Sequence, residues 1–298
     1  MNAPAMRPLG GTRCAVGESP LWSAAEQALY WVDIAGRRLH RHDWPAGSER
    51  AWPMPEPIAC IAPHADGGLI AGMQTGIFHL RPADGGRCAI ERLFASRFPR
   101  DDMRFNDGRC DRQGRFWLSS MVTDMALAAA DGALFRCARR ELSPPLVTGL
   151  VTGNGLGFSP DGATMYLSDS HPSVCRIWAF DLDADGVPSN RRLFVDMRRY
   201  PGRPDGAAVD AEGGYWICGN DAGQIHRFLP DGRHDRSLCV PVAKPSMCAF
   251  GGPDMDLLFI TSITPAAPVE GYDAAFDGAV FVVQPGVRGL PETPYNQL

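Results

Sequence analysis

The sequence predicts an all-β fold: a six-bladed β-propeller with four-stranded blades, its ring closed by an N-terminal strand. One observation is a repeat, a polar residue followed at fixed spacing by a turn glycine and then an aromatic strand, seen over 106–114, 154–162 and 205–213. Another is that the apolar runs are short, aromatic or β-branched and are cut by D-G, G-G and P-D-G turns, which are strand signals. The third is a period of roughly 45 to 50 residues between successive units, as expected of a propeller blade. A sandwich does not repeat one motif six times, and the rungs of a β-helix are much shorter.

The units follow in order. SPLWSAAEQALYWVDI opens the first, with Glu26 at the turn position and Tyr30 where later units carry Trp117, Tyr166 and Trp216. APHADGGLIAGM, GRCDRQGRFWLSSM, GLGFSPDGATMYLSDS, AAVDAEGGYWICGN and AFGGPDMDLLFITSI open the other five. Each leads into a third strand-like piece: RRLHRHDW, GIFHLRP, GALFRCA, CRIWAFD, QIHRFLP and GAVFVVQP. Six units occupy nearly the whole length, so the segment before Glu18 is left to supply a strand to the last blade and cover its free edge. Helical periodicity is scarce. Its best stretch, DMALAAADGALF, reads equally as a loop entering a strand.

With 298 residues the chain is long enough for one large core, and a single domain over 1–298 is the simplest division. A net charge of -5 offers no footprint for a nucleic-acid backbone or an anionic membrane. Neither an apolar run of bilayer-spanning length nor a signal-peptide-like start is visible, so a cytoplasmic protein is expected. Nine cysteines fall at irregular intervals without a C-x-x-C pair, and several that sit in apolar strand-like runs, such as Cys60 and Cys218, read as small buried hydrophobes in a reducing compartment. A small-molecule partner fits this balance best.

Closing the repeats into a ring gathers one residue from the start of each innermost strand at a channel mouth: Glu18, Ala59, Asn106, Asn154, Asp205 and Met247. Taken singly each polar one has a plain explanation, since N-G, N-D-G and P-D-G are turn sequences and a lone glutamate is usually solvated. Ordinary turns have no reason to share a phase. Two carboxylates converging with two carboxamides are costly without a compensating positive charge, which a divalent cation supplies. Oxygen-only donors point to calcium, magnesium, manganese or zinc, with positions left for water and a substrate oxygen. Arg104, two residues before Asn106, faces the same side of an extended strand. Asp124, in the loop after RFWLSSM, is within reach of the same mouth, and Asp169 and Ser170 are either supporting groups or structural ones. The histidines fall mostly on outer-strand segments, which leaves nucleophilic catalysis without a Ser-His or Cys-His pair.

GESPLW around Glu18, RFNDG at 104–108, NGLGFSPDG at 154–162, YLSDS ending at Ser170 and the P-D-G containing Asp205 together resemble the SMP-30/gluconolactonase family, which includes regucalcin and bacterial sugar lactonases. The resemblance implies a six-bladed propeller with one catalytic divalent metal cation on Glu18, Asn154 and Asp205. It also implies substrate contacts from Arg104 and Asn106, with Asp124 where the family often carries an acidic residue touching a sugar hydroxyl. Where the family commonly reads G-T-M, this chain has Ser119-Ser120-Met121.

The function expected on these grounds is hydrolysis of a sugar lactone to the free acid, with Asp205 accepting a proton from the attacking water. Two alternatives stay open: a calcium-binding regulatory propeller, and a metal-dependent esterase or phosphotriesterase of the same fold.

Overall fold

A computed structural model describes residues 6–296. They form six antiparallel sheets set around a ring, a six-bladed β-propeller in which the innermost strand of each blade packs against those of the blades before and after it. Blade one runs Gly17–Ser23, Ala28–Asp33, Arg38–Asp43 and Glu49–Pro53 outward from the channel; blade two runs Ile58–Pro63, Leu69–Met73, Gly76–Pro82 and Cys88–Ala95. Blade three has Met103–Cys110, Phe116–Val122 and Gly132–Ala138, with its outer edge split into Glu141–Leu142 and Val147–Leu150. Blades four and five begin at Gly153–Phe158 and Arg203–Val209 and are four strands each. Blade six carries Pro245–Gly251, Leu257–Ser262 and Val280–Val283, and Arg7–Leu9 is its outermost strand, paired antiparallel with Val280–Val283. The N-terminal strand therefore closes the ring, as the sequence predicts.

Burial falls from the channel outward. Ala28–Asp33 and Tyr215–Asn220 are buried at every residue, whereas Pro188–Asp196 is largely exposed. The inner strands are covered on both faces, which explains their unbroken apolar runs. The core lies between blades: Trp22 of blade one stacks on Phe259 of blade six at 5.6 Å, and Tyr166 of blade four meets Tyr215 of blade five at 4.9 Å. Such aromatic pairs add about 1 kcal/mol each beyond their area.

The repeated turn glycine has a backbone reason. Gly114, Gly162 and Gly213 take φ of +80°, +72° and +84°, a left-handed conformation that glycine adopts without steric cost. The turn acid in front of it has a second job. Asp111 and Asp210 each accept from the indole Nε1 of Trp117 and Trp216 at 2.8 Å, and in blade one Glu26 accepts from the Tyr30 hydroxyl at 2.7 Å. The stretch 124–135 resolves into a single 3-10 turn, Met125–Leu127, followed by the strand Gly132–Ala138. Its alanines supply no apolar face wide enough to hold a helix. Among the described residues no helix is long and apolar enough to cross a membrane.

Candidate functional site

Every innermost strand is interrupted at the same place. The pairing with the second strand skips a residue between Glu18 and Leu21, Ile58 and Cys60, Phe105 and Gly108, Asn154 and Gly157, Pro204 and Ala207, and Pro245 and Cys248. These are β-bulges, which bend a strand and re-aim its side chains. The four polar residues cluster there, but their phase is shared only to within one residue. Glu18 and Asn154 are the last paired residues before the bulge, while Asn106 and Asp205 are the first residues inside it.

Glycine permits the close approach that the bulges require. A β-carbon on Gly206 would stand 2.4 Å from Met247 Cβ, and one on Gly155, already at φ +60°, would meet the Ser168 and Tyr215 hydroxyls at 2.6 Å. Hydrogen bonds then tie neighbouring blades together beneath the site. Asn106 Nδ2 donates to the Gly153 carbonyl at 3.0 Å, next to Asn154; the Leu156 amide donates to Asp107 Oδ2 at 2.8 Å; and the Tyr215 hydroxyl donates to the Gly155 carbonyl at 2.6 Å. Ser119, where the family pattern has glycine, donates to the Gly153 carbonyl at 2.7 Å.

Arg104 Nη1 donates to the Phe105 carbonyl and to Asn106 Oδ1, both at 2.8 Å, so the arginine lies alongside Asn106 as alternation predicts. It does not join the surface acids beside it in sequence: Asp102 pairs with Arg100. Asp205 is 4% exposed and Asn154 5%, while Glu18, Asn106 and Arg104 keep part of their surface on the channel. Burial pushes the Glu18 carboxyl well above the usual range, and Asp205 and Asp107 push it further, against a smaller opposing pull from Arg104. Burial likewise raises Asp205 to about 6, opposed by Arg203 and by a 2.6 Å hydrogen bond from Asn220 Nδ2 to its Oδ2. Glu18 and Asp205 are thus poorly solvated, with Asp107 near enough to push both up.

The residues fit a hard divalent cation. Glu18 and Asp205 each accept a protein hydrogen bond on one oxygen only, and buried Asp107 Oδ1 has no partner. The Asn154 carboxamide is held by no side-chain hydrogen bond among the described residues. Unclaimed oxygens beside carboxylates that resist ionising are what a bound cation would satisfy. No group of three or more His, Cys, Asp or Glu side chains among the described residues is arranged to hold a metal, so a cation at this mouth would need a carboxamide such as Asn154 beside the two carboxylates.

Among the described residues Asp124 makes no hydrogen bond to this group. It is exposed at the start of the Met125–Leu127 turn, where Oδ1 accepts from the Ala126 amide at 3.0 Å. Asp169 proves structural: its two oxygens accept from the Val151, Thr152 and His171 amides. Ser170 accepts from Arg203 Nη1 at 2.8 Å. Asn220 and Arg203 were not singled out by sequence, because each sits at a strand end beside turn-like residues. The cysteines around the site, Cys60, Cys218 and Cys248, are buried and free, as expected.

A β-propeller whose innermost strands carry oxygen donors at one mouth defines the class, and comparison places the chain within it. Residues 16–264 match the model of the SMP-30/gluconolactonase/LRE-like region, and the chain belongs to that family. It is 37% identical over 279 residues to the 6-deoxy-6-sulfogluconolactonase of Pseudomonas putida, covering 93% of this chain and 94% of the relative. It is 33% identical over 286 residues to a pentonolactonase of Haloferax volcanii, covering 94% of each. A solved structure of a calcium-binding protein, regucalcin, from Agrobacterium tumefaciens superposes with a TM-score of 0.88 at 27% identity, covering 99% of this chain and 98% of that one.

Proposed function

We propose that the chain hydrolyses a sugar lactone to the free sugar acid with the help of one divalent cation held by Glu18, Asn154 and Asp205. The observation that carries this reading is the pair of carboxylates Glu18 and Asp205, both pushed up by burial and Glu18 further by Asp205, each with one oxygen that accepts no protein hydrogen bond. The sugar lactonases among its relatives support the substrate class. A bound cation there supplies a Lewis acid for the lactone carbonyl and for the charge that develops on its oxygen.

The chain's own groups do the rest. Asp205 takes the proton from the attacking water on Oδ1, the oxygen that accepts no protein hydrogen bond. The water oxygen bonds to the carbonyl carbon, the ring C–O bond breaks, and the departing ring oxygen takes from Asp205 the proton that carboxylate accepted, becoming a hydroxyl. Asn106 is held by Arg104 on Oδ1 and by Gly153 on Nδ2, so it presents a fixed amide to the substrate. Arg104 uses Nη1 for its protein contacts and turns its other N–H groups to ring or side-chain oxygens. Asp124, at the rim, reads a hydroxyl on the part of the sugar that projects from the mouth.

The test is acid release in a pH-stat from a panel of aldonolactones, aryl esters and phosphotriesters, after chelation and after reloading with Ca2+, Mn2+, Mg2+ or Zn2+. Lactone hydrolysis that disappears with chelator and returns with metal is expected. Asp205→Ala should lower kcat by at least roughly 10²-fold, the usual worth of a general base, while leaving the β-sheet circular dichroism intact. Cation binding without hydrolysis of any substrate would instead favour a calcium-binding role, and full activity in Asp205→Ala would remove the base assignment.

A further inference from the structure

The propeller supplies its own control for one side chain at the site. The last residue of the second strand pairs with the residue one place before the bulge position in three blades: Asp33 with Gly17, Asp169 with Gly153, and Asn220 with Arg203. In blade one Asp33 accepts from the Ala15, Val16 and Gly36 amides, and in blade four Asp169 accepts from the Val151, Thr152 and His171 amides. Both fasten the strap that enters their own blade. Blade five departs from that pattern, because Asn220 turns instead onto the Asp205 carboxylate.

The orientation of that carboxamide is determined by its other contact. Asn220 Oδ1 accepts from Arg203 Nη2 at 3.2 Å, and Nδ2 donates to Asp205 Oδ2 at 2.6 Å. A flipped amide would set its NH2 against the guanidinium and its oxygen against the carboxylate, two repulsive contacts in place of two hydrogen bonds. Arg203 is itself fixed on both remaining sides, by Nε to Asp221 Oδ2 at 2.7 Å and by Nη1 to Ser170 Oγ at 2.8 Å. Lys244, at the entry to blade six, pairs with the same Asp221. Blades four, five and six all contribute to holding one amide still, and Asn220 is fully buried among them.

We propose that Asn220, oriented by Arg203, is a positioning residue for Asp205: it takes up Oδ2 and leaves Oδ1 as the single oxygen offered to the cation and to water. The inference rests on the cation reading above. An acidic ligand whose second oxygen is occupied binds through one oxygen and keeps one orientation, and outer hydrogen-bond partners of this kind are typically worth about 10- to 100-fold in metal affinity.

Mn2+ alone is the probe, titrated calorimetrically into chelator-treated protein and followed by the electron paramagnetic resonance spectrum of the bound ion. Asn220→Asp keeps the shape but presents an acceptor to Asp205, and Asn220→Ala removes the donor without adding charge. Both are expected to raise the Kd for Mn2+ by about 10-fold or more and to alter the zero-field splitting, as Asp205 becomes free to offer both oxygens. Arg203→Gln, which leaves Asn220 in place but unoriented, should show a smaller rise in Kd with the same spectral change. Wild-type affinity and an unchanged spectrum in Asn220→Ala would overturn the positioning role while the cation reading stood. Absence of Mn2+ binding in the wild type would overturn both.

Discussion

At the scale of single residues, the site is a place where the fold works against its own charges. Burial, which disfavours its anion, pushes Asp205 up to about 6 from an ordinary value of 3.8. Between those two values the folded state holds a proton that the unfolded state has lost, so stability is greatest below pH 4 for this group and falls as pH rises through 6. The difference of about two pH units corresponds to roughly 3 kcal/mol. Glu18, raised for the same reasons, acts in the same direction. His64 acts oppositely, since burial lowers it to about 4 and stability is gained as pH rises past that value. The comparison that isolates the carboxylate is therefore chelated wild type against chelated Asp205→Asn. Urea unfolding of the wild type should lose stability from pH 4.5 to 7 relative to the variant, and saturating Ca2+ should abolish the difference. Parallel curves would mean that Asp205 is not a buried anion. Sequence phase singled out Glu18, Asn106, Asn154 and Asp205 as candidates, since a repeat aligns positions that chemistry alone would leave among ordinary turns. It could not find Asn220, because what distinguishes that residue is the direction of its carboxamide, and direction is set by Arg203, Ser170 and Asp221 from elsewhere in the fold.

At the scale of elements, the bulge is the device that builds the site. A regular strand sends alternate side chains to opposite faces, and in a blade both faces are packed against neighbours. An extra residue on the innermost strand breaks that alternation and frees a side chain for the channel. The sequence shows this only indirectly. Period-two patterning assumes regular pairing, so it reads Asn106, Asn154 and Asp205 as one phase, whereas pairing separates Asn154 from the other two by a residue. Space at the bulge is the corresponding requirement. Gly206→Ala would bring a β-carbon to 2.4 Å from Met247 Cβ and 2.8 Å from its Cα, and backbone atoms of the next blade cannot retreat without moving that strand. A loss of about 1 to 3 kcal/mol is expected from overpacking of this kind, read as a lower urea midpoint with unchanged m, together with weaker Mn2+ binding because Asp205 is the adjacent residue. An unchanged midpoint would show that blades five and six pack less tightly there than the geometry requires.

At the scale of the whole molecule, convergence of residues from blades one, three, four and five goes with a closed ring, and Arg7–Leu9 supplies the outermost strand of the closing blade. Arg7–Leu9 pairs with Val280–Val283, and buried Leu9 packs with Trp22, Trp31 and Phe259 where blades six and one meet. The sequence left this segment unassigned after six units had been traced, and that remainder is what identified it as the closing strand; its own composition, R-P-L, carries hardly any strand signal. Deleting the chain through Leu9 would uncover the Val280–Val283 edge, an apolar β-branched strand of the kind that recruits other strands. The truncated protein is expected to unfold at lower urea concentration and to form higher oligomers in size-exclusion chromatography with light scattering. Because Trp22 of blade one stacks directly on Phe259 of blade six, loosening this seam should also reach Glu18, four residues before Trp22, before it reaches Asn154 on the far side of the ring. Mn2+ affinity of the truncated monomer should accordingly fall further than global stability alone would require. A truncated chain that stays monomeric and binds Mn2+ as the full chain does would mean that the six inner strands hold the ring without the closing strand.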